Sequence, residues 1–326
     1  MMRVDVQTHV LPLPYLEALE GRKGFPSAFR EGGKWRVRAG PHMTLPVSEG
    51  LLDPEEKLRA MDAAGVDVSL LSLNIPGPEG VEGEEGERLA RLANEALAEV
   101  CSRHPDRFWG LASLACQQPD RSLRELDRCV RNLDFRGLQL FSNIAGHPLD
   151  HPSFERFYKR LCELDIPLVL HPAYPVMADA MADHQLIPTV GFMFDTTLAA
   201  LRLIQSGVLE RYPSLRVVLP HGGSTLPYLL GRIDYLSERH PGARAHIGEA
   251  PSAYFARFYV DSVTSSRAAL EYCLQQVGPG RLLFASDHPW VPLSLAVELV
   301  EGLPLGEGER RAVFGETAAK LFRGMR

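Results

Sequence analysis

The sequence is poor in cysteine, and its five cysteines are scattered. Cys101, Cys116, Cys129, Cys162 and Cys273 are odd in number and include no C-x-x-C pair. That excludes a disulfide framework and a cysteine zinc site, and leaves buried thiols of a cytosolic protein. An excess of basic charge is also lacking: 35 Lys and Arg stand against 41 Asp and Glu, for a net charge of -6. Nucleic-acid binders carry a basic patch, so no nucleic-acid partner is expected and small-molecule chemistry is. No stretch reads as the roughly 20 apolar residues of a membrane span, so no membrane partner is expected either. The N-terminus has no secretory pattern, since Asp5 interrupts any apolar region, and the expected location is the cytoplasm. Neither G-x-G-x-x-G nor a P-loop surrounds Gly222 and Gly223, which read as a tight strand exit.

What is present is a composition that can bury a sizeable core, 45% hydrophobic and 23% charged over 326 residues. Short apolar runs alternate with helical periodicity almost end to end. Candidate strands fall at residues 4–9, 66–74, 107–115, 136–141, 166–171, 215–221, 258–263 and 281–287. Between them lie stretches such as DRSLRELDRCVRNL and SFERFYKRLCELD, whose apolar residues return every three or four positions. Eight such units predict an α/β fold, a closed (β/α)8 TIM barrel spanning 1–326 as one domain, with an open doubly wound sheet as the alternative. Two segments exceed a minimal loop: residues 12–50, expected to form a small β ribbon or lid after the first strand, and residues 172–192. The acidic run EGVEGEEGER, around residues 80–88, reads as a solvated loop and helix start.

Polar residues with metal-binding chemistry end strand after strand: Gln7 and His9 the first, His171 the fifth, His221 the sixth and Asp287 the eighth. Residues two apart on a strand share a side, which predicts Gln7 and His9 facing the barrel mouth with Asp5 one layer below. Any one strand-end histidine also reads as a hydrogen-bonded structural residue. Together, imidazoles and a carboxylate suit Zn²⁺, Mn²⁺ or Fe²⁺ with positions left for water and substrate.

These residues sit in motifs that resemble a known family. The first-strand D-x-Q-x-H, LHP after the fifth strand, the stretch GFMFDTTLAALRLIQSGVLERYPSLRVVLPHGGSTLPYLLGRIDYL and the terminal FASDHPW look like the amidohydrolase superfamily. More narrowly they resemble its amidohydrolase-2 branch, which contains aminocarboxymuconate-semialdehyde decarboxylase and the resorcylate-type and carboxyvanillate decarboxylases. The resemblance implies that His9, His171 and Asp287 ligate one divalent metal, zinc first and manganese as the alternative. It implies that His221 is the acid/base residue, with Asp287 as its catalytic companion. It also implies a homodimer in which Arg232 reaches into the neighbouring site to grip a carboxylate; the bland reading is an exposed surface charge. Phe192 and Trp290 are candidate pocket walls.

Two positions depart from the family pattern. Gln7 stands where the family carries His or Glu, and a neutral carboxamide is a weaker donor. Gln7 either coordinates weakly, orients a bound water, or leaves a three-ligand site. Ser48 stands near a position where aminocarboxymuconate-semialdehyde decarboxylase has an arginine; Arg36 and Arg38 are candidate replacements or simple ribbon charges. His42, His104, His147, His151, His240 and His246 read as solvated, and His288 as a neighbour of the site.

The expected activity is non-oxidative, metal-dependent decarboxylation of a small aromatic or unsaturated carboxylic acid. The alternatives are a metal-dependent hydrolase of an amide, ester or lactone, and a barrel that binds a ligand with impaired catalysis.

Overall fold

The computed structural model describes residues 1–323, so the last three residues of the expected 1–326 span lie outside the described part. Eight parallel strands form the centre: β1 Val4–Val10, β2 Val68–Leu73, β3 Phe108–Gly110, β4 Leu138–Phe141, β5 Leu168–His171, β6 Val217–Leu219, β7 Tyr259–Asp261 and β8 Leu282–Leu283. Hydrogen-bonded pairing runs β1-β2-β3 and β4-β5-β6-β7-β8. Two parallel bridges, Ala112 with Leu138 and Thr8 with His288, join these arcs, and the ring closes in sequence order. An open sheet would leave two edges, and none is present among these eight strands.

Two apolar layers hold the ring. Inside, Val6, Leu70, Leu111, Val169, Val218 and Leu283 pack in one cluster. Outside, residues of opposite parity such as Leu140, Leu170, Leu219 and Phe284 meet helix residues including Leu126, Phe157, Leu161 and Leu203. That division is the period-2 pattern of a strand buried on both faces.

Several strands are shorter than their apolar runs. β6 stops at Leu219 and β8 at Leu283, so His221 and Asp287 lie beyond the ladders rather than ending them. Both adopt left-handed backbone, with φ of 55° and 61°. The chain is turning out of the barrel there, and the turn aims each side chain back over the mouth. β1 departs from simple alternation as well: its register with β2 shifts between Asp5 and Thr8. Asp5 is fully buried and accepts hydrogen bonds from the Ser286 backbone at 3.0 Å and the Ser286 hydroxyl at 2.5 Å.

Residues 12–50 contain a three-stranded antiparallel ribbon, Ser27–Glu31, Lys34–Gly40 and Met43–Pro46. It packs through Ala28, Trp35 and Val37 on Tyr15, Leu16 and Leu19. Asp195, on the helix just after the second long segment, anchors that segment. It accepts from Ser142 and Asn143 beyond β4 and from the backbone of Val176, fastening residues 172–192 to the barrel rim. The helical run Ile187–Gln205 corrects the expectation that no segment is long and apolar enough to cross a membrane. Half of it is buried, with Ala199, Ala200, Leu203 and Ile204 in the core, because it is the helix that follows β5. The acidic run is also not wholly solvated, for Glu79 at its head is buried.

Candidate active site

The barrel brings His9, His171 and Asp287 together at the C-terminal ends of its strands, with their potential ligand atoms all within 4.8 Å of one another. His9 Nε2 lies 2.9 Å from Asp287 Oδ1, and His221 Nε2 lies 3.7 Å from Asp287 Oδ2. Gln7 joins them, its amide donating to Asp287 Oδ1 at 3.4 Å.

Neighbouring groups set the imidazole tautomers. His171 Nδ1 donates to the Pro172 carbonyl at 2.9 Å, which leaves Nε2 with its lone pair. Ser72 Oγ donates to the Thr8 carbonyl at 3.2 Å and lies 2.9 Å from His9 Nδ1, so it accepts the His9 proton. His9 Nε2 and Asp287 Oδ1 are then two acceptors in contact, an arrangement that a shared cation favours. Two ligands each about 2.1 Å from one ion, at a right angle, lie about 3 Å apart. The donor set and its spacing thus fit a divalent metal.

Charge states agree with that chemistry. Burial pushes the His171 imidazole well below its usual range, and the neighbouring His9 adds to this, so His171 is neutral. Burial would raise the Asp287 carboxyl, but the neighbouring His221 and His9 imidazoles outweigh it and hold Asp287 ionised. For His221 burial again opposes charge, yet the nearby carboxylate of Asp287, with the charge of Asp261 added, raises its pKa. A neutral imidazole and an ionised carboxylate suit ligation, and the proton-rich imidazole beside them suits acid catalysis.

Lys57 belongs to this neighbourhood although its side chain does not reach the cavity. Its Nζ donates to Thr8 Oγ1 at 3.1 Å and lies 3.0 Å from His288 Nδ1. Burial lowers the lysine to about 7 and, together with Lys57, lowers His288 to about 3. His288 is thus a buried neighbour, as expected. A sequence signal for Lys57 did exist: it lies four positions before Met61 on the helix Pro54–Ala64 and shares its buried face.

A cavity of about 800 Å³ opens over the cluster, with His171, His221 and Asp287 in its floor. Phe192 and Trp290 line it as expected, and Trp290 Nε1 donates to Asn74 Oδ1 at 2.8 Å. The ribbon contributes Met43, Thr44, Leu45 and Pro46. Neither lysine nor arginine lines it. Arg232 is exposed on the helix Leu226–Arg239 and stays out of its own chain's cavity. Arg36 pairs with Glu31, Arg38 lies over the Phe29 ring, and Ser48 is exposed, so none of the three reaches the site. The loop histidines His42, His147, His151, His240 and His246 are exposed, and His104 is half-buried beside Glu55.

A closed parallel barrel with a His, His, Asp cluster at its C-terminal mouth defines an α/β-barrel protein with an enzyme-like polar centre. The chain belongs to the amidohydrolase family, whose family model matches residues 4–324. It is 33% identical over 293 residues to a gamma-resorcylate decarboxylase of Rhizobium radiobacter, covering 84% of this chain and 88% of that one. Its fold is similar to the crystal structure of 5-carboxyvanillate decarboxylase from Sphingomonas paucimobilis, with a TM-score of 0.88, 30% identity and 99% of each chain covered. A dihydroxybenzoic acid decarboxylase from Polaromonas sp., solved with bound manganese and the inhibitor 2-nitroresorcinol, aligns with a TM-score of 0.83 at 28% identity, over 98% of this chain and 96% of that one.

Proposed function

We propose that this protein is a metal-dependent, non-oxidative decarboxylase of a small aromatic carboxylic acid. The observation that carries the reading is the pairing of His221 with ionised Asp287 at the floor of a cavity beside the His9 and His171 donors. His9, His171 and Asp287 would hold the ion, with Gln7 beside them. Manganese is favoured over zinc, because a carboxylate and a carboxamide are hard oxygen donors and the Polaromonas relative holds manganese. When bound, the metal supplies Lewis-acid charge that fixes and polarises the substrate's carboxylate and an adjacent oxygen.

The chain's own groups do the rest. His221 holds a proton at Nε2, stabilised by Asp287, and delivers it to the ring carbon bearing the carboxylate. The C–C bond then breaks, its electron pair restores the aromatic ring, and CO₂ leaves. Solvent returns the proton to His221. Asp287 is a poor donor here because it is held ionised.

The cavity also narrows the substrate. Its walls are largely apolar, with neutral hydroxyls from Thr44, Ser224, Thr225, Thr264 and Tyr228 and neither lysine nor arginine. This supports a ring with one carboxylate, held at the metal, and neutral substituents. A second anionic group would have to meet a cation from outside the chain. Arg232, exposed on the same helix stripe as Tyr228 and Tyr235, would supply it from a second copy in a homodimer.

The test is incubation of manganese-loaded protein with 2,6-dihydroxybenzoate, with CO₂ and the ring product followed by mass spectrometry and NMR, alongside His221→Asn. The expected result is CO₂ with resorcinol from the native chain and a loss of roughly 100-fold or more in the variant. Turnover of an ester or lactone panel with no CO₂ from any aromatic acid would overturn the reading.

A further inference from the structure

We propose that a second cavity, beside the active site and separate from it, binds a small organic ammonium ion, with the buried Glu79 carboxyl as counter-ion and aromatic rings around the ligand's body. The site lies outside the decarboxylation machinery and does not depend on how that machinery is read.

This cavity measures about 360 Å³ and lies between the ribbon and the loops that leave β2, β4 and β5. It is not an arm of the larger one, for Ile75 alone lines both. One packed apolar cluster stands between them, with Met43 facing the first cavity and Phe141 and Ala173 the second. A volume near the low end for ligand pockets suits a molecule with a single ring.

Glu79 supplies the charge. It is 4% exposed, and its Oε1 is buried with no hydrogen-bond partner. Burying a carboxyl without a donor is unfavourable, and a ligand that brings N–H groups completes it. Nearby donors are already engaged. Asn143 Nδ2 donates to the Tyr174 carbonyl at 3.0 Å and to Asp195 at 2.8 Å, and the Tyr15 hydroxyl donates to the Pro76 carbonyl at 3.0 Å. Neither lysine, arginine nor histidine lines the cavity, so a cation has to arrive from solvent. Burial also pushes the Glu79 carboxyl well above the usual carboxylate range, as expected of an acid lacking its partner.

Gly77 brings the acid and an aromatic ring together. A Cβ there would overlap both the Glu79 carboxyl and the Phe141 ring, so the absence of a side chain lets the two meet at one wall. Tyr174 and Phe25 add two further rings to the lining. Ring faces and a carboxylate both attract a cation and repel an anion, which sets this cavity apart from one that takes an aromatic acid. Phe25 and Val176 are 45% and 51% exposed, and they mark the mouth through which a ligand enters.

The test is isothermal titration of the native protein with benzylammonium and, for comparison, with neutral benzyl alcohol. Both titrations are repeated on Glu79→Gln, Gly77→Val and Trp290→Ala, with circular dichroism to establish that each variant is folded. The native chain should bind benzylammonium with a Kd of about 1 mM or tighter. Benzyl alcohol should bind roughly tenfold more weakly, because it brings no charge to Glu79. Glu79→Gln and Gly77→Val should each weaken the ammonium roughly tenfold or more, the first by removing the counter-ion and the second by filling its approach. Trp290→Ala, which alters only the larger cavity, should stay within about twofold of native. Absence of ammonium binding to the native chain overturns the proposal, as does equal affinity for the alcohol. It is also overturned if Glu79→Gln keeps native affinity within about twofold, or if Trp290→Ala loses it, since the ligand would then sit in the larger cavity.

Discussion

His9 Nε2 stands 2.9 Å from Asp287 Oδ1 although 278 positions separate the two residues. Barrel closure makes this contact: β1 and the segment after β8 exchange backbone hydrogen bonds, from Asp287 to the Gln7 carbonyl and from His9 to the His288 carbonyl, each at 2.9 Å. The seam between first and last strand is therefore also the floor of the candidate metal centre.

Removing a donor from that floor should empty it. His171→Ala and Asp287→Asn are each expected to lower divalent metal from about one ion per chain to near zero, measured by elemental mass spectrometry after dialysis. Circular dichroism should show the fold retained. Full metal content in both variants would place the ion elsewhere.

Gln7 already touches Asp287, so a stronger donor there needs no rearrangement. Gln7→His should tighten metal binding by roughly tenfold or more, read by competition with a chromogenic chelator. Unchanged affinity would show that residue 7 does not face the ion.

Lys57 links stability to pH with a definite sign. Its pKa falls from 10.5 in the unfolded chain to about 7 in the fold, with burial as the leading cause. Between these values the unfolded state binds the extra proton, so this group's contribution is present above about pH 10.5 and is lost as pH falls through about 7. The native protein should therefore gain stability between pH 7.5 and 9.5 relative to Lys57→Met, measured from urea midpoints about two pH units apart. Parallel curves for the two proteins would refute this.

Arg232 should matter only between copies and only for doubly charged substrates. In Arg232→Ala, kcat/KM for an aromatic dicarboxylate is expected to fall roughly tenfold or more, while that for a monocarboxylate stays within about twofold. Sedimentation of the native chain as a monomer under assay conditions would remove the basis for a shared site.

Much of this architecture was legible along the chain. The runs VDVQTH, IPLVLH and RLLFASD announced strands because β-branched and apolar residues cluster over short windows, and the His or Asp closing each run marked the mouth. The ribbon was legible from its glycines and charges, and the exclusion of Arg36 and Arg38 from the site agrees with the ribbon-charge reading. Less legible were the ends of β6 and β8. The apolar runs continue to His221 and Asp287, but the ladders stop earlier because the chain must turn out of a closed, tilted ring.

By itself the sequence determined the barrel periodicity and the residue types of the centre, since both are written in local spacing. Only the tertiary structure decided which buried groups support that centre. Lys57 meets His288 across 231 positions, and Asp261 meets Gly222 across 39. Such pairings depend on which strand ends closure makes neighbours, and desolvation then sets their charges, so neither the contact nor the ionisation could be read from residues adjacent in the chain. The same holds for Arg232, whose exposure outside its own cavity follows from how the helix Leu226–Arg239 lies on the barrel.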